Sequence, residues 1–329
     1  MYQHNTKVVI DLGSGTISTG YGMDDEPTSD INKSLTGQSR RIYSKIKSNS
    51  LLPDLKYPID KGIITQLDDL ELMLEHLILE EMKIIEMKEY PILIGYNSLN
   101  NVKRTRVGIT EIVFEKLGVP VFALADRNML SLLASGRTTG LVLKSGDCIT
   151  NSVTIDEGQV LTQHCCGVEF GGRDLSLFLE KLIENCGYKI GEEFDSSTGV
   201  EHLIQIKQRL CQISMDYHWE TQRFDICDRY YEIGENGISL GLDQYKSSIH
   251  ELILKSLQHL DSKFKEECQK NIILSGGNTL FPNFTERLKR ELNLTPCRVV
   301  APPERKYSSW IGGSILSSIQ GVDSMWILR

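Results

Sequence analysis

The chain reads as an α/β protein folded in two lobes with a cleft between them. Apolar strands alternate with amphipathic helices along the sequence, the pattern of βαβ units with helices on the sheet faces. A glycine-containing hairpin occurs twice, first as Val8-Val9-Ile10-Asp11-Leu12-Gly13-Ser14-Gly15 running into Thr16–Gly22. It returns as Leu141–Leu143, the turn Lys144-Ser145-Gly146-Asp147-Cys148 and a second strand through Ile155. At 329 residues the chain also exceeds the about 250–300 at which single cores stop growing.

Tight turns of small residues expose backbone N–H groups, and two of them face to face hold an anion between two lobes. Gly13, Ser14 and Gly15 supply one set of donors, and Gly146, Asp147 and Cys148 the other. Gly276-Gly277, at a strand-to-helix turn, lets the backbone approach a ribose or adenine.

Composition narrows the class. A net charge of −8 argues against a broad nucleic-acid surface, which needs clustered Lys and Arg. The eight cysteines are scattered, without metal-ligand spacing, and read as reduced thiols of a cytosolic or nuclear protein. The segment Met1–Lys7 is too polar for a signal peptide and no apolar run approaches a membrane span, so a soluble protein is expected, with neither nucleic acid nor membrane as partner.

The elements follow in order. Residues 29–50 are polar and predict a loop or small appendage. Leu70, Met73, Leu74, Leu77, Ile78 and Met82 recur at helical spacing and predict a helix over 67–87. A strand at 90–95, a helix at 104–117, a strand at 119–124 and a helix at 128–134 lead into the second hairpin. Beyond it the pattern predicts a flexible loop at 167–172, a helix at 174–184, a polar loop at 191–199 and a helix at 200–217. A hairpin over 230–239 turning at Gly234–Gly237, one long helix over 244–264 and a strand at 270–274 come next. Last are a helix at 283–292, a strand at 297–301 and a helix at 308–319, where Gly312-Gly313 permits close packing.

Taken together, several stretches resemble actin and the actin-related proteins. They are Asp11-Leu12-Gly13-Ser14-Gly15, Tyr57-Pro58-Ile59-Asp60-Lys61-Gly62-Ile63, Ala134-Ser135-Gly136-Arg137-Thr138-Thr139-Gly140, Gly172-Arg173-Asp174-Leu175 and Leu274-Ser275-Gly276-Gly277. Ala301-Pro302-Pro303-Glu304-Arg305-Lys306-Tyr307 and Trp310-Ile311-Gly312-Gly313-Ser314-Ile315-Leu316 complete the set, in the family's order and across nearly the whole chain. The resemblance implies the two-lobed fold shared by actins, chaperone ATPases and sugar kinases, with ATP or ADP and Mg²⁺ or Ca²⁺ in the cleft. It implies a first lobe of residues 1–127 plus 305–329, with a reduced outer part at about 29–56. The second lobe is 128–304, with a reduced outer part at about 188–245. Lys207 and Lys306 match positions that flank the nucleoside, and Leu133, Leu316 and Ile319 match an apolar groove where partners insert helices.

Against that pattern the departures concentrate on the chemistry. Lys144 stands where hydrolysing members carry an Asp, which leaves Asp11 as a weakened metal position because an ammonium cannot hold a hydrated cation. Ser18 stands where most actins carry a phosphate-reaching Lys, and Lys144 is expected to cross the cleft in compensation. Arg127 and Asn151 occupy the positions of the water-orienting Gln and its neighbouring His, and Gln208 that of a Glu. Positioning of water and neutralisation of charge dominate phosphoryl transfer, so nucleotide binding with weak or absent hydrolysis is expected.

Shortened outer segments, and a chain that ends soon after Trp326, argue against filament formation, which needs two different faces on each subunit. The function expected from the resemblance is a cytoplasmic, cytoskeletal subunit acting with actin or an actin-related complex. The alternatives are a nuclear scaffold of a chromatin complex, a small-molecule kinase of the same superfamily, and a decayed duplicate of actin. The kinase lacks its carboxylate base, since the best-placed residue is Lys144.

Overall fold

The computed structural model describes residues 6–30, 58–99, 102–185, 196–215, 222–226, 229–233, 248–319 and 321–329. The first hairpin is β1 (Val8–Leu12) and β2 (Ile17–Tyr21), extended by β3 (Ser29–Asp30). After the small pair β4 (Ile59–Asp60) and β5 (Ile63–Ile64) come α1 (Leu67–His76), β6 (Ile92–Tyr96), α2 (Val102–Glu111) and β7 (Val121–Asp126). Helix α3 (Arg127–Ala134) then crosses to the second hairpin, β8 (Gly140–Ser145) and β9 (Thr150–Asp156), flanked by β10 (Gln159–Val160) and β11 (Cys166–Val168). Helices α4 (Gly172–Asn185) and α5 (Ser196–Leu210) and the hairpin β12 (Gln222–Ile226) with β13 (Arg229–Ile233) follow. The chain closes with α6 (Ile249–Leu257), α7 (Ser262–Lys270), β14 (Ile272–Ser275), α8 (Phe284–Leu292), β15 (Val299–Val300), α9 (Ser308–Ser318) and β16 (Trp326–Leu328).

Two sheets organise these elements, and the second repeats the first. In one, the order is β16-β7-β6-β1-β2-β3, with β1 antiparallel to β2 but parallel to β6, and β6 parallel to β7. In the other, the order is β10-β9-β8-β14-β15, with β8 antiparallel to β9 but parallel to β14, and β14 parallel to β15. A repeated hairpin in the sequence is therefore the visible part of a repeated sheet.

Strand alternation decides what each face meets. Val8, Ile10 and Leu12 pack with Leu70, Leu74, Ile109 and Val113 of α1 and α2 and the turns that extend them, while Val9 turns the other way onto Leu130 of α3 and Trp310 of α9. In the second sheet Leu141 and Leu143 meet Ile253, Leu257 and Leu288, whereas Val142 joins Leu132 of α3. Helix α3 is thus shared by both sheets. Trp310, fully buried, fixes α9 to the first sheet by donating its indole N–H to Val9 O at 3.1 Å.

Several elements differ from the sequence reading. The helix expected over 67–87 ends earlier: α1 widens into a π-type turn at Leu77–Glu81, and Lys83 adopts a φ of 55° that stops it. The long helix expected over 244–264 is two helices, because Asp261 accepts from the N–H groups of Lys263 and Phe264, both at 3.1 Å, and caps a new start. The helix expected over 200–217 begins at Ser196 and stops at Leu210, and Ile213 instead donates its N–H to Pro282 O at 3.0 Å. The loop expected at 167–172 begins as strand, with Gly167 paired to Asn151. The expected hairpin at 230–239 is shifted, its described strand β13 pairing with β12 before it. The expected appendage and filament contact within 31–56, most of the loop at 191–199, Tyr217 and the Gly234–Gly237 turn lie outside the described residues.

Where α3 and α9 cross, no side chain fits. A Cβ at Gly312 would lie 2.5 Å from the Leu130 carbonyl carbon and closer still to its oxygen. Gly312→Ala gains about 1 kcal/mol of helix propensity, but overpacking against backbone costs about 1–3 kcal/mol or more. We expect a net destabilisation, read as a lower urea midpoint at unchanged m-value.

Candidate functional site

The same alternation builds the site. Asp11 follows Ile10 and shares Val9's face; Lys144 follows Leu143 and shares Val142's face. Both therefore point from the ends of their strands toward α3 and α9, and both are buried, at 6% and 9% exposure. Asp126 caps α3, accepting from Asn128 N at 2.8 Å and Met129 N at 3.1 Å, which makes Arg127 the first residue of the helix. From there Arg127 forms a bidentate pair with Asp11, Nε to Oδ1 at 2.6 Å and Nη2 to Oδ2 at 2.9 Å.

Lys144 reaches across from the second lobe as expected, but to a hydroxyl of the first lobe's last helix: its ammonium donates to Ser309 Oγ in α9. Ser309 in turn lies 3.0 Å from Ser131 Oγ and donates to Arg127 O at 3.1 Å, while Ser131 lies 3.0 Å from Ser275 Oγ. A seam of hydroxyls thus ties β8, β14, α3 and α9 together. Burial lowers the Lys144 ammonium to about 7, assisted by the Arg127 charge and opposed by Asp11 and Asp126. For Asp11, burial alone would raise the carboxyl, but Arg127 and Lys144 outweigh it and hold it below the ordinary value.

The two turns form as mirror counterparts. Gly13 N–H closes on Thr16 O at 3.0 Å and Gly146 N–H on Ile149 O at 2.9 Å, so these two donors shape the turns and do not reach outward as expected. The turns touch: a Cβ at Gly15 would lie 2.6 Å from Asp147 Cβ. Ser14 Oγ accepts from Gly62 N at 3.3 Å. Asn278, which the sequence reading left without a role, steadies the second turn by donating Nδ2 to Gly146 O at 2.7 Å and Ser145 Oγ at 3.2 Å.

Across the cleft mouth, Arg173 Nη1 meets Asp60 Oδ1 at 2.8 Å and its Nη2 meets Asp147 Oδ2 at 3.0 Å. Lys61 pairs with Glu169 at 2.7 Å, but both are about half exposed and such pairs contribute little. Cys148 lies against Asp147 Oδ2 at 3.4 Å, and burial pushes its thiol up to about 12, which makes it a poor nucleophile. Behind these contacts lies a polar cavity of about 50 Å³, lined by Ser14, Arg127, Asn128, Lys144, Asp147 and Asn151 among others. Asn128 and Asn151 are buried, and neither Oδ1 has a hydrogen-bond partner.

The remaining expected residues lie around this centre. Lys207 reaches from α5 to Gly172 O at 2.5 Å and Ser176 Oγ at 2.7 Å, and burial lowers its ammonium. Gly276, at φ 91°, packs against the Ser145 backbone, while a Cβ at Gly277 would meet nothing within 4 Å. Lys306 donates to Tyr307 Oη at 2.9 Å. Of the groove residues, Leu316 is buried, Leu133 is packed against the same core, and Ile319 is 40% exposed.

A family model described as Actin matches residues 2–218 and 212–329. The chain belongs to the actin family. In this actin-family member the donor set does not fit a divalent cation. A hydrated cation is held by carboxylates through its waters, yet both Asp11 oxygens accept from Arg127 and Asp147 Oδ2 accepts from Arg173. Among the described residues no cluster of three or more His, Cys, Asp or Glu could hold a metal. Two basic side chains, Arg127 and Lys144, and the two turns converge on the same small cavity.

The lowered Lys144 gives a pH signature. Between about 7 and its ordinary value of 10.5 the unfolded chain binds a proton at this residue that the folded chain does not, so stability rises with pH across that window. The slope approaches about 1.4 kcal/mol per pH unit from this group. Lys144→Met is expected to flatten the profile measured by urea unfolding from neutral to alkaline pH.

Proposed function

We propose that this actin-family chain binds ATP or ADP between its two hairpins, hydrolyses it weakly or not at all, and works as a structural subunit with actin or actin-related proteins. The observation that supports this reading is the bidentate Asp11–Arg127 pair. It sets a guanidinium beside the first turn and occupies both oxygens of Asp11, the carboxylate that the family pattern gives to the metal. Arg127 donates hydrogen bonds and accepts none, so it cannot take a proton from an attacking water. The donors of Arg127 and Lys144 that line the cavity support retention of the anion; the crowded seam around Lys144 supports a ligand-stabilised scaffold. A cytoplasmic, cytoskeletal setting goes with this role.

Calorimetry with ATP, followed by phosphate release from the same sample, tests it. We expect saturable binding without turnover, and stabilisation by about 2.7 kcal/mol when ATP stands at about 100 times its Kd. Turnover comparable to ordinary actin, or no binding, would overturn the reading. Under salt conditions that polymerise actin the protein is expected to stay in the supernatant on sedimentation.

A further inference from the structure

We propose that Arg127 is a built-in counter-ion, so that the nucleoside polyphosphate enters this cleft without a divalent cation. The inference deepens the nucleotide-binding reading above and rests on it. Arg127 stands under the first turn: a Cβ at Gly13 would lie 3.2 Å from its Nη2, and the side chain lines the cavity together with Ser14, Gly146 and Asp147. Its place is fixed from both sides. Asp126 caps the helix that Arg127 begins, and the Arg127 carbonyl accepts from Ser131 Oγ at 2.8 Å and Ser309 Oγ at 3.1 Å.

Asp11 takes only two of the five N–H donors of the guanidinium, through Nε and Nη2. The others are of the right kind for phosphate oxygens, whose planar pairs a guanidinium matches in two-point fashion. A divalent ion would have to displace Arg127 from Asp11 and then sit beside both that guanidinium and the buried Lys144. On the second hairpin Asp147 Oδ2 is held by Arg173 at 3.0 Å, so a cation there would have to share that carboxylate with a second guanidinium. What the chain itself supplies at this point is a guanidinium whose charge Asp11 balances and whose remaining N–H donors are left for phosphate oxygens.

The test compares ATP affinity of the full chain by calorimetry in EDTA and in millimolar Mg²⁺. We expect affinity in EDTA equal to or higher than in Mg²⁺. Binding in Mg²⁺ that weakens about tenfold or more in EDTA would overturn the proposal while leaving nucleotide binding intact. Absence of binding in both buffers would instead refute the reading on which it rests. Arg127→Gln is expected to lose about 10- to 100-fold in EDTA, the weight of a charge-assisted contact, with part regained in Mg²⁺ as Asp11 is uncovered. Unchanged affinity of this variant in EDTA would overturn the proposal. If circular dichroism shows Arg127→Gln unfolded, Arg127→Lys decides: binding retained in EDTA supports the proposal, and binding that requires Mg²⁺ overturns it.

Discussion

The close crossing of α3 and α9 is the contact on which the rest depends. Both sheets present a face to α3, the first also to α9, and the absence of a side chain at Gly312 lets the two helices meet backbone to backbone. Because interiors pack at crystal-like density, that spacing fixes the distance between the two sheets. It also fixes where the ends of β1 and β8 point. Asp11 and Lys144 converge only because their strands share the two helices as a common backing.

Convergence of charge in a buried setting has to be matched locally. A buried ion pair earns its place by geometry and hydrogen bonds, since desolvation offsets much of the attraction. Asp11 has both: two short contacts to one guanidinium, and a second cation nearby. Lys144 is less fully matched, and its ammonium is lowered accordingly while Ser309 and its neighbours absorb the donor. The result is a cleft in which both oxygens of Asp11 and one of Asp147 are held by guanidinium groups.

Much of this was legible in the sequence. The paired hairpins, the alternation of strand and helix and the family stretches gave the α/β architecture, and the Actin match covers both halves of the chain. Helix ends were less legible where apolar spacing runs across a cap, as at Asp261, or where a backbone twist at Lys83 ends a periodic run. The turn glycines were read as outward donors, yet Gly13 and Gly146 close their own turns, because a two-strand connection needs that bond before any ligand does. Lys144 was legible at the cleft from its place in the second hairpin and the family pattern, and it lines the cavity; the hydroxyl that receives it, Ser309, is about 165 residues away and carries no local signal.

By itself the sequence determined the class of fold, the duplicated hairpin and the identity of the charges beside the two turns, since these follow from local period and residue chemistry. Only the tertiary structure decided the pairing of those charges: Arg127 with Asp11, Arg173 with Asp60 and Asp147, Lys144 with the serine seam. The reason is physical. Periodicity says which face a side chain takes, whereas a salt bridge or a buried hydroxyl partner depends on what the packing of distant segments brings within about 3 Å.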